Sequence, residues 1–432
     1  MRLPEPFALA LLLTLAAFAL ALLVGETPPG ELVDAWAGGG AGFWSYLGFG
    51  MQMCLILVTG FAVAATRPVQ VALERLAAVP KSPGQAAALV AFVSMSLALL
   101  HWGLGVVAGA LLARDVGLAM HRAGRPVHYP LLGAAGYTGM CVWHAGLSGS
   151  APLKVTQAKD RIDVLGEELA ARVGELPLTE TVLSGGNLVV VATLLIVVPA
   201  TCAAMVPSDP SRFKGPPAAA GRSEPADETP TALDSGPWLL VPVVGLMAWW
   251  VLRWASAGGV ARMGPNELNF VFLALGLALL GSPAAYHRAA SDAARATTGI
   301  LVQFPFYAGI RGILVAGGVV SLFAAALPDH PAMLRLSVFF TSGVANVFIP
   351  SGGGQWGVQG PIVLQAALDA GVPPGRAVLA FAYGDQWTNL LQPFWALPLL
   401  GITGNRAGDI LGYTAVLAVV TGVVFAGAVL VG

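Results

Sequence analysis

Apolar runs long enough to cross a bilayer recur along the chain, separated by short polar stretches. The runs at 7–24, 43–65, 186–206, 238–255, 267–286, 299–327 and 409–431 each predict a transmembrane helix. Four more stretches are just as apolar but carry an interruption. The stretch 86–113 breaks near His101-Trp102-Gly103, and 127–150 breaks near His144, at the head of HAGLSGSAP. The stretch 333–369 breaks at Ile349-Pro350-Ser351-Gly352-Gly353-Gly354, and 377–403 breaks at Gly384 to Asn389 and again at Gln392-Pro393. Proline lacks a backbone donor and glycine is costly inside a helix, so no single helix is expected to run through these points. Broken backbone at membrane depth is tolerated only where it is buried in protein or lines a cavity. The breaks are therefore the candidate functional positions.

Two polar stretches interrupt this pattern. Lys154 to Thr181 has Ile162, Leu165 and Leu169 at helical spacing among charges and predicts a surface or interfacial helix. The stretch 207–237 is rich in Pro, Ala, Ser and Asp without periodicity and reads as a flexible cytoplasmic linker. Basic residues in the short loops set the orientation. Residues 25–42 have none, whereas Arg67, Arg75 and Lys81 follow the second run, which places the N-terminus in the cytoplasm and the C-terminus outside. Most basic clusters then stay inside if 86–113 is a hairpin that returns to its own face, and 333–369 enters from the opposite face. Opposed hairpins, each followed by an interrupted span, are the trace of inverted repeats. The expected architecture is thus an all-α polytopic membrane protein with inverted-topology repeats, two opposed re-entrant hairpins and two interrupted transmembrane helices. Its parts are an N-terminal helix and loop at 1–42, a first repeat at 43–206, the linker at 207–237, a connecting helix at 238–266 and a second repeat at 267–432.

Composition agrees with a bilayer protein. The 432 residues are 56% hydrophobic and 10% charged, against about 25% charged in soluble domains. The formal charge of −1 gives no basic surface for nucleic acid. Cys54, Cys141 and Cys202 lie scattered in apolar segments without metal-ligand spacing. The first run follows Arg2 like a signal-peptide core but is long and lacks a small-residue cleavage site, so it is expected to remain as a helix.

Half-helix N-termini favour an anion, and unwound carbonyls favour a cation such as Na⁺. Four breaks brought together would therefore suit a small carboxylate and a coupling cation. The substrate-binding candidates are Ser148, Gly149, Ser150, Ser351, Gly352, Gly353, Gly354, Gln355, Trp356, Thr388 and Asn389. Asp385 is the acidic residue of the second interrupted span, and either carries a coupling ion or proton or caps a half-helix. Asn346, His101 and His144 join it as coupling-ion or proton candidates, the histidines alternatively being buried and bonded to backbone. Trp102, Trp143, Trp356 and Trp387 flank the breaks, either as packing or as the wall for a short acyl chain. No helical metal-ligand spacing is present, so no metal centre and no cofactor is expected beyond a possible coupling Na⁺.

The segments NVFIPSGGGQWGVQGPI (Asn346 to Ile362), WHAGLSGSAPL (Trp143 to Leu153) and GDQWTNLLQPFW (Gly384 to Trp395) closely resemble the short-chain fatty acid transporter family, the type linked to acetoacetate and butyrate uptake. The family is similar to the larger superfamily of inverted-repeat anion carriers, whose members with known architecture are dimers with a scaffold and a moving transport domain. The resemblance implies a symporter of small monocarboxylates in a bacterial-type inner membrane, working by an elevator mechanism as a homodimer. The Ser-Asn-Thr tip of the dicarboxylate carriers is absent here, so their residue roles do not transfer. Two other readings use the same residues: an intramembrane hydrolase built on His144 with Ser148 or Asp385, and a passive anion channel.

Overall fold

The computed structural model describes residues 6–38, 42–217, 231–294, 297–319, 323, 325–349, 351–392 and 395–431; no strand occurs among them. Pro350, Pro393 and the centre of the linker, 218–230, lie outside the described residues. Among the described residues six helices are long and apolar enough to cross a membrane: Leu47–Ala64, Pro83–Leu100, Trp102–Arg122, Gly185–Ala204, Thr298–Ala316 and Ala407–Val431. Ala10–Val24, Leu240–Ser256 and Pro265–Leu280 are shorter apolar helices.

Local chemistry explains where these helices stop. The expected single spans 267–286 and 299–327 are each shorter than the apolar pattern. Gly281, in the left-handed conformation at φ 72°, ends Pro265–Leu280, and a separate helix Pro283–Ala294 follows. Gly317 and Gly318, the latter at φ 68°, end Thr298–Ala316. A glycine that terminates a helix leaves the hydropathy pattern untouched, which is why periodicity ran through both points.

The interrupted stretches resolve into helix pairs and broken helices. Pro83–Leu100 and Trp102–Arg122 meet at the single residue His101. Each arm is long enough on its own to cross a membrane, so length alone does not make the pair re-entrant. Pro331–Phe348 and Gly352–Asp369 form the second pair. Tyr129–Tyr137 passes through two 3₁₀ turns, Thr138–Cys141 and Trp143–Ala145, before Ser150–Lys154. Pro374–Thr388 likewise passes through Asn389–Leu391 before Leu397–Thr403.

Element order repeats along the chain. Pro6–Val24, Pro29–Ala37, Leu47–Ala64 and Arg67–Ala77 precede the first pair, and among the described residues Pro265–Leu280, Pro283–Ala294 and Thr298–Ala316 precede the second in a similar order. Pro6–Val24 packs on Thr298–Ala316, and Leu47–Ala64 packs on Pro265–Leu280, so corresponding helices exchange partners between the halves. The second arms, Trp102–Arg122 and Gly352–Asp369, and the helices Tyr129–Tyr137 and Pro374–Thr388 are largely buried, while the first arms keep exposed apolar side chains such as Phe92 and Val344.

The polar stretch after Lys154 is helical, as expected of a surface or interfacial segment, but broken in two and partly buried. It folds as two short helices, Ala158–Leu165 and Glu167–Val173, hinged at Gly166 with φ 82°. Lys154 is buried, its Nζ donating to Asp160 Oδ1 at 2.8 Å and lying 4.3 Å from the centre of the Phe49 ring. A charge removed from water needs such a partner, and this one lies six residues along the chain.

Candidate functional site

Ser351 starts the second arm of the second pair. Its backbone is extended at φ −152° and its hydroxyl accepts the Gly354 N–H at 3.2 Å, a side-chain cap. The next three residues are glycine because the space is taken. A Cβ on Gly352 would lie 2.7 Å from His144 Cε1 and Trp143 Cη2, and one on Gly353 would lie 2.7 Å from Phe49 Cζ. Gly354 sits equally close against the Tyr307 ring. At Gly352 and Gly353 the backbone thus approaches the first half of the chain as closely as only glycine allows, and the positive end of the Gly352–Asp369 helix faces it.

A small cavity of about 20 Å³ lies where these elements meet. Ser351, Gly352 and Gly353 line it from the second half and Ser150 from the first. Trp102, Trp143 and Trp395 form aromatic walls, and Met53, Met140, Ile300 and Phe304 complete an apolar lining. Trp102 meets Trp395 edge-on at 5.2 Å and Trp143 at 6.1 Å. The volume suits about one water; a short acyl acid requires the walls to part.

Behind Gly352 sits a fully buried pair. His144 Nδ1 lies 2.5 Å from Asp385 Oδ2, while His144 Nε2 accepts the Ala151 N–H at 3.0 Å. An imidazole nitrogen that accepts from an amide carries no proton, so the His144 proton belongs on Nδ1 and is donated to Asp385. Asp385 Oδ1 is buried with no partner among the described residues. The adjacent Gln386 Oε1 accepts the His144 and Ala145 N–H groups at 2.9 and 3.1 Å, so the second broken helix holds the first at its break.

One turn further, Asn346 Nδ2 lies within 2.9 Å of Asp385 O, Thr388 Oγ1 and Asn389 Oδ1. Gln392 Nε2 donates to Asn346 O and Asn389 Oδ1 at 3.2 Å. Asn346 Oδ1 and Asn389 Nδ2 are buried without partners among the described residues. This cluster gathers polar oxygens from the first arm of the second pair and from the second broken helix.

The sequence candidates therefore separate into groups. Ser150, Ser351, Gly352 and Gly353 meet at the cavity, with Asp385 and His144 directly behind it. Asn346, Thr388 and Asn389 form the neighbouring cluster. Ser148 lies off the cavity: its Oγ accepts the Trp102 N–H at 2.8 Å and ties the two breaks of the first half together. Gly149 is pressed against His144 O. His101 caps its own helix, Nδ1 accepting Leu104 N–H at 3.4 Å, and its ring packs tilted against Phe272 at 4.1 Å; its Nε2 is buried without a partner among the described residues. Gln355 points away, donating to Ser342 O and Gln359 Oε1 at 2.8 Å.

The tryptophans divide as well, between the two roles open to them. Trp102 and Trp143 line the cavity, but Trp356 is buried against Phe381, and Trp387 donates to Ala418 O at 2.7 Å while stacking on Phe339. Position beside a break does not say which way a ring turns. Trp395 takes the place of these two. Its nearness to the Gln392-Pro393 interruption was a usable signal, whereas Met53, Ile300 and Phe304 come from unbroken helices that carry none. Arg311 is buried on Thr298–Ala316 and is absent from the cavity lining.

The geometry offers no hydrolase. Both ring nitrogens of His144 are engaged, with Asp385 and the Ala151 N–H, and Ser148 Oγ faces the Trp102 amide. Activation of a serine needs a base free to take its proton.

Residues 1–431 match the family model described as short chain fatty acid transporter. The chain is 37% identical to a putative short-chain fatty acid transporter of Escherichia coli and 35% identical to one of Haemophilus influenzae; each match covers 98% of this chain and 95% of the relative. In fold, it resembles the Alcanivorax borkumensis YdaH transporter, with TM-score 0.55, 17% identity, and 99% and 98% of the two chains covered. The Neisseria gonorrhoeae efflux pump MtrF matches with TM-score 0.55 and 14% identity over 100% and 95% of the two chains.

Proposed function

The chain belongs to the short-chain fatty acid transporter family, and from that premise we propose that it is a secondary active carrier of small monocarboxylates such as butyrate and acetoacetate. Family membership makes it a multi-pass membrane transporter and not an enzyme. The observation that carries the substrate reading is the cavity between the breaks. Ser150, Ser351 and the start of the Gly352–Asp369 helix supply hydroxyls and a positive dipole for one carboxylate. Trp102, Trp143 and Trp395 supply an apolar wall for a short chain. Among the described residues no arginine or lysine lines the cavity, which suits a single negative charge better than two.

The coupling cation is a proton on the His144–Asp385 pair. A fully buried carboxylate bonded to an imidazole, one glycine away from the carboxylate-binding tip, is where a coupling proton sits beside the bound anion in this reading. The oxygens around Asn346 support Na⁺ as the second reading.

The repeated element order and the exchanged helix contacts support two inverted repeats, with Pro6–Val24 counted into the first. That is a wider unit than the 43–206 expected from hydropathy. The helix pairs act as re-entrant hairpins and move with the broken helices as one body against a dimeric scaffold. The protein resides in a bacterial inner membrane with its N-terminus in the cytoplasm and its C-terminus outside.

Uptake of radiolabelled butyrate and acetoacetate into proteoliposomes, under a pH gradient or a Na⁺ gradient, tests this. Accumulation driven by the pH gradient and abolished in Asp385→Asn is expected. Drive by Na⁺ alone shifts the coupling site to the Asn346 cluster. Uptake that never exceeds equilibrium makes the protein a channel, and no uptake of either acid refutes the substrate.

A further inference from the structure

A second cavity lies away from the breaks, between Gly185–Ala204, Pro374–Thr388 and Ala407–Val431. With a volume of about 970 Å³ it is far larger than the candidate site. Its lining runs from Val431 back to Val423 and from Arg376 on to Tyr383, about two helical turns or ~12 Å. The walls are apolar, and their polar side chains are used internally: Tyr383 OH donates to Asn187 Oδ1, and Asn187 Nδ2 donates to Ala145 O and Val182 O.

Charge is confined to the mouth, and it is unbalanced. Arg335 is 7% exposed and donates to Val429 O and Leu430 O at 2.8 and 3.3 Å, so it neutralises no carboxylate among the described residues. Arg376 is exposed in the first turn of its helix and forms no ion pair among the described residues. Among the described residues of the lining Glu180 is the one carboxylate, against two guanidinium groups. The groove also contains glycines that packing does not require. A Cβ at Gly186 or Gly427 would meet nothing within 4 Å, although both lie in membrane-length helices where glycine is unfavourable. Their absence of side chains keeps the groove open.

We infer that this groove is a binding site for an anionic phospholipid, whose acyl chains lie along Val423–Val431 and Val189–Val190 and whose phosphate is held by Arg376 and Arg335. The chemistry follows from the arrangement. A partly buried cation at a groove mouth calls for a permanent anion, and guanidinium forks match phosphate oxygens. Apolar walls at bilayer depth match acyl chains. An Arg335 held by helix carbonyls is fixed in place before the lipid arrives, so little side-chain freedom is lost on binding.

Full-length protein reconstituted with equal phosphatidylglycerol and phosphatidylcholine of matched chains, then released into native mass spectrometry, provides the test. The wild type retains phosphatidylglycerol about fivefold over phosphatidylcholine, the ratio expected for one additional surface arginine. Arg376→Gln brings the two close to parity, and Gly427→Leu removes the retained lipid without lowering the melting temperature. Equal retention of both lipids by the wild type, or an unchanged preference in Arg376→Gln, overturns the inference. So does retention of free fatty acid instead of phospholipid. A Gly427→Leu variant with a changed oligomeric state would identify the groove as a contact between two copies of the chain and overturn it as well.

Discussion

The two helix pairs break by the same physics and end with opposite results. In each, the second arm starts at a residue in extended conformation whose own side chain accepts the amide hydrogen three residues on, from Leu104 to His101 Nδ1 and from Gly354 to Ser351 Oγ. The His101 break is filled: its imidazole packs against Phe272 and occupies the space that Gly60 leaves on the neighbouring helix. The Ser351 break is open: a small cap and glycines turn backbone toward a cavity and toward His144 and Asp385. The size of the capping side chain thus separates a tip that packs from a tip that can bind.

The comparison can be broken at several points. Gly352→Ala puts a methyl 2.7 Å from His144 Cε1 and Trp143 Cη2 and 3.0 Å from Asp385 Oδ2, in a place with no slack. Overpacking of this kind costs up to ~3 kcal/mol, and butyrate uptake per folded molecule in proteoliposomes is expected to fall about 100-fold. Gly401→Ala, whose Cβ meets nothing within 4 Å, serves as the control and should leave uptake unchanged. Gly60→Ala crowds the His101 ring, and we expect a loss of about 2 kcal/mol read as a lowered melting temperature. Uptake per folded molecule should survive it; a loss of uptake without a loss of stability would make the first tip functional too.

Smaller effects sharpen the contrast. Ser148→Ala strips the Trp102 N–H of its acceptor, and a buried unpaired amide costs about 1–3 kcal/mol. Its melting temperature should drop while the apparent affinity for butyrate holds. Ser351→Ala removes a cap worth about 1 kcal/mol, and here the order should reverse. Apparent affinity is expected to weaken several-fold with little change in melting temperature, because the hydroxyl lines the cavity. If both serine variants alter only stability, the cavity is not the site.

Much of this was legible in order along the chain. The helix breaks at His101, around His144 and before Gly352 follow from proline, glycine and polar residues inside apolar runs, since each has a local cost in a helix. Helix ends at Gly281 and Gly317-Gly318 were missed, because one terminating glycine leaves the average hydropathy unchanged. The tryptophans show a different limit. Trp356 and Trp102 both lie beside breaks, yet only Trp102 faces the cavity, since the direction of a side chain depends on the neighbour it packs against.

By itself, then, the sequence determined a polytopic helical membrane protein with broken segments and the residues from which its family is read, because backbone cost and hydropathy are properties of neighbours along the chain. Tertiary structure alone decided that Asp385 bonds to His144 across 241 positions, that Ser150 and Ser351 share one cavity while Ser148 serves as a brace, and that Arg335 and Arg376 stand at the mouth of one groove. Those pairings are contacts between distant segments, set by how the helices cross, and no local pattern encodes a crossing.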